Sequence, residues 1–428
     1  MTGLATENTL IRNASDVEAF ARQCFLASPG EQVGVELEFL VFDRTAPARQ
    51  VPWGRIAEAL PRLPGGSLVT FEPGGQLELS GPPGSLPDAI TRLTADVDAV
   101  REALRDAGLV PVGVGLDPLR PARRQLRLPR YEAMAEFLGM PYGALMMCST
   151  ASIQVNLDLG ERPATRWERA HLLGPVLVAA FANSPLSESR PCGWMSGRQA
   201  VWERLDRTRT AAVPATGDPA ADWAEYLLDA RLMAVREAPQ SPENPENAGD
   251  AGDAGDAEGT RYHPVRDGST FRDLLAAAAR PPTLADLTYH ATTLFPPVRP
   301  RGWLEIRYLD AQHPASWPVC AAVTHALVTD DRAADSALAA AEPCAGMWLR
   351  AARRGLADPM LRRAADACFR AALAALPRLG AAPALVCEVA SFANRHVSPG
   401  RSPAADLLDL AGGPGRRLPD WLAREGRI

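Results

Sequence analysis

Four separated segments of this chain alternate between apolar and polar residues, and each polar series is built from carboxylates, amides or arginine. The first, Val33-Gly34-Val35-Glu36-Leu37-Glu38-Phe39, lies in a strand predicted over 32–43. Successive side chains of a strand point to opposite faces. Glu36 and Glu38 therefore share one face, and Val35, Leu37 and Phe39 share the other. A second strand, predicted over 68–80, sets Gln76, Glu78 and Ser80 against Leu77 and Leu79, with Glu72 placed before a bulge or kink at Gly74-Gly75. In the third, 150–159, Gln154 and Asn156 oppose Ile153, Val155 and Leu157. In the fourth, 302–309, Glu305 and Arg307 oppose Leu304 and Ile306.

One such strand alone reads as the solvated face of an antiparallel sheet. Four together place Glu36, Glu38, Glu72, Glu78 and Glu305 on one face, where carboxylates facing one another across strands repel. A hard cation such as Mg²⁺ would relieve this, since it prefers oxygen ligands and leaves positions open for water and phosphate. The set contains no His or Cys, which argues against zinc. Two readings stay open on the residues alone: an ordinary wet face, or a metal–nucleotide site.

The chain contains no lysine; all 45 basic residues are arginine. A P-loop and a Schiff-base enzyme each need a lysine, so both classes are excluded. Phosphate must then be met by metal ions, arginine or backbone amides. Arg307, two residues from Glu305, is placed for that. Arg198, close to Asn183-Ser184-Pro185 and Ser196 and followed by Trp202, Asp206 and Arg209, has the guanidinium fork that holds a carboxylate bidentately; a salt-bridged surface helix is the alternative. Gly113-Val114-Gly115 lacks the third glycine of a dinucleotide fingerprint, no G-x-S-x-G elbow occurs, and the six histidines show no metal spacing.

The seven cysteines are scattered without a C-x-x-C pair, which argues against a disulfide framework. No apolar run reaches the ~20 residues that a membrane helix needs, and residues 1–10 carry no charged-then-apolar leader pattern, so a cytoplasmic location is expected. Net charge is −6, and its source is local: 237–260 holds seven of the 51 acids and no base, leaving 44 acids against 45 arginines elsewhere. No basic stripe for nucleic acid is seen. That segment, with its repeated Ala-Gly-Asp, has no large apolar residue and is expected to be a disordered insertion. Helices are predicted over 15–27, 85–107, 165–182, 196–208 and 218–235, and the chain from about 316 reads as a run of helices. The fold class expected is α+β, an antiparallel sheet covered on one face by helices.

The motifs Gly34-Val35-Glu36-Leu37-Glu38, Phe71 to Ser80, Gln154-Val155-Asn156-Leu157, Asn183-Ser184-Pro185 with Ser196 and Arg198, and His290 to Pro296 running into Leu304-Glu305-Ile306-Arg307 together resemble the glutamate–cysteine ligases, especially the actinobacterial ones of ergothioneine synthesis. The match covers roughly 30 to 312. The resemblance implies a glutamine synthetase-like curved sheet, and because motifs on both sides of the acidic segment belong to one site, a single catalytic domain over 1–428 is expected. It implies that ATP phosphorylates the γ-carboxylate of glutamate and that the amine of cysteine then displaces the phosphate. It further implies metal ligation by Glu36, Glu38, Glu72, Glu78, Gln154 and Glu305, catalytic roles for Glu305 and for Arg307, the latter at the transferred phosphate, and substrate contacts by Arg198, Asn156, Gln76 and Arg130. After Arg307 the chain reads Tyr308-Leu309-Asp310-Ala311-Gln312 rather than the glycine-rich plant version, so the acceptor amine is the least determined element; another amine, or a non-catalytic relative, remains an alternative. On this reading Glu305→Gln should abolish turnover and leave the fold intact.

Overall fold

The structure is a computed structural model that describes residues 6–27, 30–237, 260–277, 281–412 and 418–423. Eleven strands are described: β1 (Val33–Asp43), β2 (Leu68–Phe71), β3 (Leu77–Ser80), β4 (Leu109–Val112), β5 (Ser152–Asp158), β6 (Leu186–Ser187), β7 (Arg190–Pro191), β8 (Ala234–Glu237), β9 (Arg261–Pro264), β10 (Val298–Pro300) and β11 (Trp303–Asp310). Seven form one antiparallel sheet in the order β10-β11-β5-β1-β3-β2, with β4 on the far half of β1. β6–β7 and β8–β9 are separate two-stranded hairpins.

The period-two alternation places the core. Val35, Leu37, Phe39, Leu77, Leu79, Ile153, Val155, Leu157, Leu304 and Ile306 are all buried in one apolar cluster. Helices Leu86–Asp106, Pro163–Ala180 and Trp317–Thr329 cover that face through Leu93, Val97, Leu173, Leu177, Val323 and Leu327. Each large apolar side chain so buried contributes roughly 1.5–3 kcal/mol. Ser85 caps the first of these helices by accepting from the Asp88 N–H, and Pro87 occupies its first turn, where no backbone N–H is needed. The helical part expected from about 316 begins with Trp317–Thr329 and continues to Leu418–Ala423.

The opposite face changes character along β1. Its even-numbered series is Glu36, Glu38, then Leu40 and Phe42. Leu40 and Phe42 join a second apolar cluster with Leu407, Leu410, Trp421 and Leu422 from the C-terminal helices. Helices therefore cover both faces at that end, and only the Glu36–Glu38 half is left open.

Three expected elements differ. The single strand 68–80 is a hairpin, β2 and β3, because Glu72-Pro73-Gly74-Gly75 reverses the chain: the Gly75 N–H donates to the Glu72 carbonyl (2.7 Å), and Gly75 has φ +86°. The helix 196–208 splits at Asp206, which caps the new turn through the Thr208 N–H. The helix 218–235 stops at Asp229, and the chain turns into β8. Strand β4 was masked in the sequence by Pro111, which is tolerated because β4 pairs with β1 alone. The expected acidic insertion falls almost wholly on 238–259, outside the described residues.

Candidate active site

The open half of the sheet forms the floor of a cavity of about 1010 Å³, at the upper end of ligand-pocket sizes. Ten of the eleven site residues expected from the sequence line it: Glu36, Glu38, Glu72, Gln76, Glu78, Arg130, Gln154, Arg198, Glu305 and Arg307. Asn156 does not. It donates from Nδ2 to Glu36 (2.7 Å), so the structure gives it a carboxylate, not a position on the cavity.

Register assembles the carboxylates. Glu38 stands directly opposite Glu78 across β1–β3, and Glu36 lies opposite Gln154 across β1–β5. The β2–β3 turn folds Glu72 back onto this pair. One oxygen from each of Glu38, Glu72 and Glu78 lies within 4.8 Å of the others. Ser152 orients Glu38 by donating from its N–H (2.9 Å) and hydroxyl (2.7 Å), and Thr70 donates to Glu78 (2.6 Å). Burial, then the charges of Glu72, Glu36 and Glu38, push the Glu78 carboxyl well above its usual range. Burial and Glu305 raise Glu36 to about 7. Three oxygen donors, crowded by their own negative charge and without His or Cys, fit a hard divalent cation.

Glu305 is placed differently. It is 2% exposed and grips Arg299 through two hydrogen bonds (2.6 and 3.1 Å), with Arg307 at 2.9 Å. Burial alone would raise its carboxyl; Arg299 and Arg307 reverse this and hold it well below the usual range. Arg307 also donates to Gln154 Oε1, while Gln154 Nε2 reaches Glu38 (3.4 Å). A β-bulge makes this geometry. Between Ile306 and Leu309 the β11–β5 register shifts, so Arg307 stays on the cavity face while Tyr308 and Leu309 both enter the core.

Arg198 is 3% exposed. Its Nη2 donates to the Arg307 carbonyl (2.8 Å), and its buried Nη1 has no protein partner. Gln76 donates from Nε2 to the Met147 and Thr150 carbonyls (3.3 and 2.9 Å), leaving Oε1 without a partner. Arg130 lies against the Tyr131 ring and hydroxyl. Arg299 was missed in the sequence. Its signal was the Arg-Gly turn at Arg301-Gly302, which pairs Arg299 with Glu305 when β11 is read back onto β10.

An antiparallel sheet with helices behind it is the glutamine synthetase-like fold. Aligned with it is the bifunctional glutathione synthetase of Pasteurella multocida, at TM-score 0.50 and 14% identity, over 96% of this chain and 52% of that one, so this chain spans about half of that protein. The chain belongs to glutamate-cysteine ligase family 2, whose family model matches residues 32–420. It is 43% identical over 418 residues to the glutamate–cysteine ligase EgtA of Mycobacterium tuberculosis, covering 94% of this chain and 91% of the relative. EgtA of Mycolicibacterium smegmatis is 43% identical over 395 residues, covering 89% and 87%. The chloroplastic glutamate–cysteine ligase of Medicago truncatula is 30% identical over 281 residues, covering 61% and 51%.

Among the described residues no helix is long and apolar enough to cross a membrane. All seven cysteines are free thiols, and Cys387 alone is exposed.

Proposed function

We propose that the protein joins the γ-carboxyl of glutamate to the amine of cysteine with ATP as co-substrate, giving γ-glutamylcysteine for ergothioneine synthesis. One observation carries the reading: the Glu38–Glu72–Glu78 cluster shares a cavity with Arg307 and with the unpartnered Nη1 of Arg198. A carboxylate is a poor electrophile. Its γ-oxygen attacks the terminal phosphorus of ATP and releases ADP. The amine nitrogen then attacks the acyl carbon, the carbon–oxygen bond to phosphate breaks, and the nitrogen loses its proton. Arg307 is assigned to the transferred phosphate, and Arg198 to a substrate carboxylate.

Mg²⁺ held by Glu38, Glu72 and Glu78 would neutralise charge on the phosphate oxygens. The wider ligand set adds Glu36, Gln154 and Glu305, whose oxygens meet Asn156, Arg307 and Arg299 here. The test is ADP release from protein given ATP, Mg²⁺ and glutamate, with and without cysteine, with the product weighed by mass spectrometry. Cysteine-stimulated release with a γ-glutamylcysteine mass supports the reading. Stimulation by a different amine alone reassigns the acceptor, and no turnover with any amine refutes a ligase.

A further inference from the structure

Asp310, at the end of β11, is a buried carboxylate that the chemistry above leaves unused. It is 2% exposed and lies beyond the β-bulge that carries Arg307. Its Oδ2 accepts from the Asn183 N–H (2.9 Å) and the Ser184 hydroxyl (2.7 Å), and its Oδ1 accepts from the Ser196 hydroxyl (2.8 Å). Each hydroxyl in turn accepts from the first turn of helix Gly197–Trp202: Ser184 from the Arg198 N–H (3.1 Å), Ser196 from the Gln199 N–H (3.2 Å). An ionised carboxylate only accepts, so it fixes the direction of both hydroxyls. The packing around it is close. A Cβ on Gly115 would meet the Asp310 carboxyl carbon at 2.6 Å, which gives the Gly113-Val114-Gly115 segment a packing role.

We propose that Asp310 is a positioning residue: through Ser184 and Ser196 it fixes the start of helix Gly197–Trp202 and thereby holds the Arg198 guanidinium ready for the carboxylate of an amino-acid substrate. The proposal rests on the ligase reading. Arg198 needs such help because it sits buried with one hydrogen bond, to the Arg307 carbonyl, and an unpartnered Nη1. The Trp202 ring centre is 5.6 Å from its guanidinium carbon, a loose cation–π contact that leaves the direction of the fork unfixed. Orientation must come from the backbone beneath it, and that backbone hangs on Asp310.

The test compares Asp310→Asn, Arg198→Lys and the double variant in the full chain, measuring kcat, the KM of glutamate, cysteine and ATP, and thermal stability. Asp310→Asn keeps volume and removes the obligatory acceptor. Its expected effect is a rise of about tenfold in the KM of the same amino acid that Arg198→Lys affects, with kcat and the KM of ATP within about threefold. Because the two residues act as one unit, the double variant should be no worse than Arg198→Lys alone. Multiplying effects, or a loss of stability with every KM unchanged, would overturn the proposal. Should Asp310→Asn fail to fold, Ser184→Ala carries the same comparison with one hydroxyl removed. A wild-type protein that turns over no amine would strike the ligase reading instead; calorimetry with glutamate and with cysteine then reads the inference, a roughly tenfold weaker Kd in Asp310→Asn for the amino acid that Arg198→Lys weakens upholding it and equal Kd values for both sinking it.

Discussion

Glu38 and Glu78 face each other as register partners across β1 and β3, and the β2–β3 turn adds the Glu72 carboxylate to the same spot. Three carboxylates gathered on a half-buried sheet face oppose folding unless a cation joins them. On the proposed reading the arrangement serves a bound cation, since it adds nothing to the stability of the metal-free fold.

Replacing Glu78 by Gln should therefore separate stability from function. Gln keeps an oxygen for the Thr70 hydroxyl and removes one charge. The folded-state pKa of Glu78 is raised, so its contribution is present at low pH and is lost as pH climbs through that value. The metal-free variant should be more stable than wild type at pH 8 and by less at pH 5. Its stabilisation by Mg²⁺ should vanish, and turnover should fall about 100-fold, roughly 2.7 kcal/mol. Thermal melts with and without Mg²⁺ at both pH values check this; an Mg²⁺ shift equal to wild type would remove Glu78 from the cation site.

Glu305→Gln carries a different expectation from the one the sequence suggested. The carboxylate is the buried counter-ion of Arg299 and Arg307, so its loss leaves one buried and one partly buried guanidinium facing a neutral amide. Breaking such a pair costs about 3–5 kcal/mol. The variant should lose turnover and also melt well below wild type. A melting curve superimposable on wild type would show that the arginines find other partners.

The face each carboxylate occupies was legible because a strand's period of two needs no long-range information; Glu36, Glu38 and Glu78 follow from it directly. The direction of Glu72 was not, because it depends on whether Gly74-Gly75 kinks a strand or closes a turn, and φ is not written in composition. The Gln154–Arg307 contact depends on a bulge, which only pairing with β5 reveals. Arg299 stayed hidden because its significance is its partner across a hairpin. The closing of the polar face at Leu40 and Phe42 could not be read ahead, because its cover, Leu407, Leu410, Trp421 and Leu422, comes from more than 360 positions along the chain.

Acid should destabilise the fold through its buried histidines. Burial lowers the pKa of His325 to about 4, with Arg166 adding to it, and neither ring nitrogen has a partner. Burial likewise lowers His171 to about 4 and His290 to about 3. An unfolded histidine titrates near 6.5, so between these values the unfolded chain binds more protons and stability falls as pH falls from about 6.5 toward 4. For His325 the loss is about 3 kcal/mol when complete. His325→Leu should thus gain about 2 kcal/mol or more over wild type at pH 4.5 and little at pH 8. Urea unfolding at the two pH values decides; equal shifts at both would mean that His325 packing, not its proton, sets the difference.

The acidic stretch should be dispensable for catalysis, and pairing of the strands beside it gives the reason. β8 and β9 are antiparallel with Glu237 opposite Arg261, and His263 lies 2.9 Å from Glu237. Glu237 and Arg261 therefore stand at neighbouring points, about 5 Å apart for such partners. Two residues suffice to close a hairpin there. Replacing 239–259 by Asn-Gly should keep β8–β9 paired, leave Arg236 beside Tyr289 and Asp286 at the cavity edge, and hold kcat/KM for both amino acids within about threefold. A loss of 100-fold or more in an otherwise stably folded variant would show that the acidic residues act on the reaction itself.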